Sequence, residues 1–183
     1  MNIFFLSKST VEAAQFHNDK HCVKMILEYA QLLSTAHRIL DGEQYIDASS
    51  GRKIKRWQLK GSAAEPLLYK ATHINHPSAV WARENKENYM WLAQLLDDLC
   101  KEYTHRYGRI HKCETDGLVQ WLASYAPKNI ANRPWTQPTP AMPDDCKVAG
   151  DSLASYRKYY IQNKRHLAKW SKREVPEWYT DPK

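Results

Sequence analysis

Seven polar residues between His17 and Arg38 recur at alternating steps of four and three: His17, His21, Lys24, Glu28, Gln31, Thr35 and Arg38. Side chains three and four positions apart share one face of an α-helix, so this spacing gathers all seven into a narrow stripe. Nearly everything else from Cys22 to Leu40 is apolar. A surface helix shows the opposite proportions, and the pattern predicts a central helix with one wet seam. Lys24 and Glu28 stand one turn apart and can touch. In dry surroundings a lysine sheds its proton more readily and becomes a nucleophile for an electrophilic carbon. The carboxylate beside it then serves as general acid or base, or stabilises positive charge developing on a sugar. With His21 these two form the expected catalytic group, while His17, Gln31 and Arg38 line the same seam to hold phosphate or nucleic acid. The same spacing also suits a core helix with a thin solvated edge and an ordinary Lys–Glu pair.

Other polar groups point to anions. His17 and His21, one turn apart, have chelating spacing, but His-Glu-x-x-His is absent and no third ligand has diagnostic spacing. No metal and no other cofactor is expected. The run His73-Ile74-Asn75-His76-Pro77 leads into a helix whose first-turn N–H groups favour a phosphate, with Arg83 adding a guanidinium. Plain capping by Asn75 or His76 is the competing reading. Arg106, Arg109, His111 and Lys112, interleaved with Tyr103 and Tyr107, form a basic and aromatic corner suited to a phosphate backbone. Tyr156 and Arg157 add to that surface from a last helix rich in tyrosine and lysine. No glycine-rich phosphate loop and no Gly-x-Ser-x-Gly elbow is present, which leaves nucleotide-fold enzymes and serine hydrolases without support.

The elements that must position these residues are mostly helical. Asn2–Leu6 reads as a short extended segment. Ser9 with Glu12 three residues on is a capping box that opens a helix near Thr10. That helix either runs unbroken to Leu40 or bends near Asn18-Asp19, with Asp19 as a second cap; Asp41-Gly42 ends it. Residues 43–58 read as a small β-hairpin or ordered loop, with Arg52, Lys53, Lys55 and Arg56 beside Trp57. A helix from Pro77 to about Tyr103 or His105 follows, then a shorter one over Thr115–Tyr125. Five prolines between Pro127 and Pro143 exclude a helix or central strand there. Asp151 caps a last helix over about Ser152–Trp170. The expectation is one compact all-α domain over residues 1–183, with a long central helix and one small hairpin.

Composition narrows the class. The net charge of +7, with 7 Trp and 11 Tyr in 183 residues, fits a nucleic-acid partner, DNA above all, because Lys and Arg displace counterions while rings stack on bases. A basic protein without such a partner has the same composition. Cys22, Cys100, Cys113 and Cys146 form no Cys-x-x-Cys pair. Cys22 and Cys100 fall in helical patterns and read as buried free thiols, which fits a reducing cytoplasm. The apolar run Ile3-Phe4-Phe5-Leu6 is too short for a signal peptide, and no stretch approaches the ~18–20 apolar residues that span a bilayer.

The chain resembles a group of small phage and bacterial proteins that share Asn2-Ile3, then Asp19-Lys20-His21-x-Val23-Lys24-Met25-x-Leu27-Glu28, then Asn75-His76-Pro77, then Glu102-Tyr103-x-His105-Arg106-Tyr107-Gly108. That likeness spans most of the chain and carries no activity with it. A fainter one is to the phage pyrimidine-dimer DNA glycosylases, small basic helical enzymes with a short extended N-terminus, an early helix bearing histidine and a catalytic glutamate, and an aromatic-basic C-terminal segment. The resemblance implies that Glu28 plays the glutamate and that Tyr156-Arg157-Lys158-Tyr159-Tyr160 corresponds to the last segment. That family uses the amine of an N-terminal threonine; here Met1 precedes Asn2, and Lys24 would take the amine's place. The leading expectation is therefore a DNA-processing enzyme that cleaves the glycosidic bond of a damaged or modified base, with or without strand nicking. Two rivals stay open: an enzyme on a small nucleotide or phosphorylated substrate in an enclosed pocket, and a non-catalytic binder of nucleic acid or a host protein.

Overall fold

Short polar side chains that outcompete the helix for backbone N–H groups set the boundaries of the long helices. The computed structural model describes residues 1–180. Ser9 Oγ accepts the Glu12 N–H and opens α1 (Thr10–Phe16). At His17 the backbone turns extended, and Asn18 caps α2 (Asp19–Asp41) by accepting the His21 N–H at 2.9 Å. The break falls where the sequence allowed a bend, but Asn18 is the cap. Asp19 is left free to use its carboxylate elsewhere. A similar event splits the helix expected from Pro77 onward. Asn85 accepts the Asn88 N–H at 2.8 Å, ending α3 (Pro77–Glu84) and starting α4 (Lys86–Tyr107). Gly108, at φ 64°, takes the left-handed conformation that closes α4.

Between α2 and α3 lies the hairpin, β1 (Glu43–Asp47) and β2 (Ile54–Gln58), antiparallel with Glu43 opposite Gln58 and Asp47 opposite Ile54. The helix expected over Thr115–Tyr125 is two pieces, α5 (Lys112–Thr115) and α6 (Leu118–Ser124), parted by Gly117 at φ 77°. The proline-rich stretch has no regular structure and acts as a strap: Thr136 N–H donates to Asn88 Oδ1 at 2.9 Å, and Trp135 packs on Phe5 and Trp91. Asp151 caps α7 (Ser152–Asn163), which stops well short of Trp170. There the chain turns inward, and Trp170 Nε1–H donates to the Phe16 carbonyl at 2.9 Å. A last turn, α8 (Glu177–Thr180), packs against α7. The protein is 52% helical with this single two-stranded sheet among the described residues.

The extended segment Ile3–Leu6 runs through the core, none of it more than 4% exposed. Phe4 stacks on His21 at 4.1 Å and meets Tyr156 and Tyr160 edge-on; Phe5 lies against Trp91. Each such side chain contributes about 1.5–3 kcal/mol of burial. All four cysteines are buried and free.

At the centre of the helix packing is a buried cation. Arg106 donates to Glu102 Oε1 (2.7 Å), Asp19 Oδ1 (3.0 Å) and the carbonyls of His17 (2.9 Å) and Gln15 (2.8 Å). Glu102 is also held by Arg173 Nη2 at 2.8 Å, and Asp19 by Ser171. One guanidinium thus joins the end of α1, the start of α2, α4 and the C-terminal segment. Removing one partner of such a set leaves buried charge uncompensated, at a cost of about 3–5 kcal/mol. Arg106→Met is therefore expected to lower the urea midpoint by that equivalent, whereas Arg109→Met, at an exposed position, leaves it unchanged.

Candidate functional site

Along α2 the polar stripe divides into three environments. At its start the histidines are enclosed. His17 is fully buried: Nδ1–H donates to the Ala13 carbonyl (2.6 Å), so Nε2 is the acceptor for Tyr29 OH (2.8 Å), whose oxygen in turn accepts the Phe4 N–H (3.2 Å). Every role in that chain is filled by a neutral imidazole, and burial pushes its pKa down to about 4. His21 lies 2.6 Å from Tyr160 OH beneath Phe4, and burial lowers it to about 3. Both rings are scaffold in this conformation, and among the described residues no His, Cys, Asp or Glu group is placed to hold a metal.

At the far end of α2, Arg38 is buried and spends its guanidinium on the carbonyls of Trp57, Glu65, Leu68 and Tyr69 and on Glu65 Oε2. It anchors the loop after the hairpin, with no donor directed to a ligand among these contacts. Thr35 is buried as well. Its Oγ1 accepts the Thr72 N–H at 3.2 Å and donates to the Thr72 carbonyl at 3.4 Å, which pins the following loop against α2.

The middle of the stripe is different. Lys24 Nζ lies 3.2 Å from Glu28 Oε1, and the Met1 amine lies 3.7 Å from Glu28 Oε2. A carboxylate only 14% exposed thus has an amine on either side. Gln31, half-buried, follows one turn on. The loop pinned by Thr35 continues through His73 and His76. His73 sits at φ 48°, a left-handed conformation that only a constrained backbone holds in a non-glycine residue, and its Nδ1 is 2.7 Å from Thr72 Oγ1. His76 caps α3: its Nδ1 accepts the Ser78 N–H, which leaves the ring proton on Nε2 as a free donor. Burial lowers its pKa, the Met1 amine and His73 add to the effect, and Glu28 opposes it. The Met1 amine, His73 and Glu28 thus lie within electrostatic range of the His76 ring, although His76 is far from Glu28 in the sequence.

Lys24 belongs to a second feature. A groove of about 950 Å³ runs beside α2, with Val23 and Leu27 on its floor and Lys20, Lys24, Lys112 and Lys169 along it. His111 and His166 add imidazoles. Among the described residues its one acid, Asp19, is already engaged by Arg106 and Ser171. Val23 and Leu27 are 43% and 40% exposed, an uncovered apolar strip rimmed by positive charge. The dry seam expected around Lys24 is absent, since its side chain is 62% exposed.

The remaining predicted residues scatter. His111 caps α5 through Cys113 N–H and lines the groove together with Lys112. Arg106 is in the core and Arg109 on the outer surface. Asn75 is exposed next to His76. Arg83 donates to the Ala79 carbonyl on its own helix. Tyr156 is buried, donating to Asn2 Oδ1 at 2.7 Å, and Arg157 holds the Leu6 carbonyl while its guanidinium lies 5.1 Å over Trp178. Helical spacing does not point to Lys20, Val23, Leu27, His166 or Lys169 as groove residues. Only the charge of the lysines signalled them, and no pattern announces that two aliphatic side chains stay uncovered. Comparison with known protein families, curated proteins and solved structures gives no match.

The enclosed histidines set the pH response. His17, His21 and His37, the last also lowered to about 4 by burial, stay neutral in the folded chain while the unfolded chain protonates near 6.5. Their contribution is complete above pH ~6.5 and is lost as pH falls towards 4, at about 1.4 kcal/mol per pH unit for each. Asp19 and Glu102, both held low, act in the same direction only below their ordinary carboxylate values. Urea midpoints measured from pH 7 to 5 are expected to fall steeply, and less steeply in His37→Gln.

Proposed function

We propose that the protein is a DNA-processing enzyme of base-excision type, acting on the glycosidic bond of a damaged or modified nucleotide. The observation that carries this reading is the double placement of Lys24: its Nζ is 3.2 Å from Glu28 and it lines a basic groove with an apolar floor. The lysines of that groove suit the phosphates flanking a target nucleotide, and Val23 and Leu27 suit the face of an extruded base. A bound nucleotide also covers Lys24, supplying the dry surroundings that the free protein lacks.

The proton inventory closes within the pair. Lys24 passes a proton to Glu28, and the neutral amine attacks C1′ of the sugar. The C1′–N bond to the base breaks as the new C–N bond forms, and the departing base takes its proton from Glu28. His76, with its Nε2–H free, donates to the leaving base or to a sugar oxygen. Glu28 then carries a proton from the attached nitrogen to the ring oxygen, the C1′–O bond opens to a protonated Schiff base, and water hydrolyses it to the sugar aldehyde and free Lys24. The volume and open flank of the groove favour this over a small-molecule site, in which the same groups would close around their ligand.

Labelled duplexes carrying a pyrimidine dimer, uracil, a hydroxymethylated base or an abasic site test the proposal. The protein is expected to release base or nick one of them, with a loss of about 10²–10⁴-fold in Glu28→Gln and unchanged binding. Salt-dependent binding without product on any substrate contradicts the excision reading and leaves a binder.

A further inference from the structure

A cavity of about 390 Å³ opens between the end of α2, the root of the hairpin and α6 with the loop after it, apart from Glu28. One wall is aromatic. The Trp121 and Tyr125 rings lie 5.3 Å apart at 37°, and the His37 imidazole packs 4.8 Å from Trp121. Tyr125 is 57% exposed, so much of its ring is free to take a planar ligand.

The polar end of the cavity presents acceptors. Asp41 accepts the backbone N–H groups of Lys128 (2.8 Å) and Asn129 (2.9 Å), which fixes its orientation and leaves each oxygen with a further lone pair. His37, 3% exposed, has Nε2 within 3.1 Å of the Tyr125 carbonyl and 2.9 Å of Tyr89 OH. Since a carbonyl only accepts, the ring proton is on Nε2, and Nδ1 is a bare acceptor. It lies 3.9 Å from Asp41 Oδ2, too far for a hydrogen bond between them. Two adjacent acceptors beside an aromatic wall ask for a flat ligand with two adjacent N–H donors. Guanine offers that edge through N1–H and its 2-amino group. Adenine, cytosine and uracil each set one donor position beside an acceptor. Asp41, Glu43, Lys60 and Lys128 line the cavity with two charges of each sign; Lys60 is paired to Glu43 at 2.6 Å, which leaves Lys128 as the cation to meet a phosphate.

We propose that this cavity is a second ligand site that takes the guanine base of a nucleotide, free or within a single strand. The ring lies against Tyr125 and Trp121, the N1–H and 2-amino edge meets Asp41, and the phosphate faces Lys128. The site is independent of the excision chemistry, so Glu28→Gln is expected to bind guanosine monophosphate as the unaltered protein does.

Titration calorimetry with GMP, AMP, CMP and UMP tests the assignment. GMP is expected to bind at least ten-fold more tightly than the others. Tyr125→Ala, a change at a largely exposed ring, is expected to weaken GMP about ten-fold. Lys128→Gln is expected to weaken GMP while leaving guanosine unaffected. Asp41→Asn, checked by thermal melting because it also anchors the 128–129 backbone, is expected to abolish the preference for guanine. Equal binding of the four nucleotides, GMP affinity unchanged in Tyr125→Ala, or tighter binding of a tetramethylammonium probe than of GMP would each overturn the proposal. Short thymidine oligonucleotides with one central guanine identify the source: tighter binding than GMP supports a strand, and no gain supports the free nucleotide.

Discussion

The packing of this protein turns on one buried guanidinium. Arg106 is 4% exposed, and its charge survives there because two carboxylates and two backbone carbonyls surround it. Such a cluster contributes little net stability compared with apolar packing, but it tolerates no missing member. Its consequence here is geometric. The carbonyls of Gln15 and His17 are available to Arg106 only because α1 stops at Phe16, and Asp19 is available only because Asn18 took the capping role. The bend between α1 and α2 and the seating of α4 are one arrangement.

That arrangement decides which residues of α2 meet solvent. With α1 turned away and the Ile3–Leu6 segment laid over the first turn of α2, His17 and His21 are covered by Phe4, Tyr29 and Tyr160. At the other end Arg38 and Thr35 are used up in holding the loops that follow the hairpin. What remains open is the middle of the helix, where Glu28 meets two amines and Lys24 faces the groove. Lys24 and Glu28 lie between these two packed ends, Lys24 open to solvent and Glu28 largely covered beside the Met1 amine.

The sequence carried the helical class, the hairpin and the long central helix, because periodicity and the Ser9–Glu12 box are local signals. It also singled out Lys24, Glu28, His73 and His76. It did not reveal that the loop leading to the last two is pinned to α2, since that depends on Thr35 reaching Thr72 across the fold. The split at Asn85 was missed because an asparagine inside an apolar periodic run reads as a tolerated polar residue until its side chain is seen capping Asn88. Arg106 read as part of an anion-binding corner because a charge run looks alike whether its members face solvent or a buried carboxylate. The exposure of Val23 and Leu27 had no local signature at all.

The central claim is that Lys24 and Glu28 act together on the sugar of a nucleotide held in the groove. The most direct measurement is borohydride trapping on a duplex bearing an abasic site, followed by peptide mapping of the adduct. A covalent adduct on Lys24, lost in Lys24→Ala and strongly reduced in Glu28→Gln, is the predicted result. An adduct on the Met1 amine would move the nucleophile to the other side of Glu28 and contradict the role given to Lys24. No adduct with any substrate would contradict amine catalysis at this site altogether.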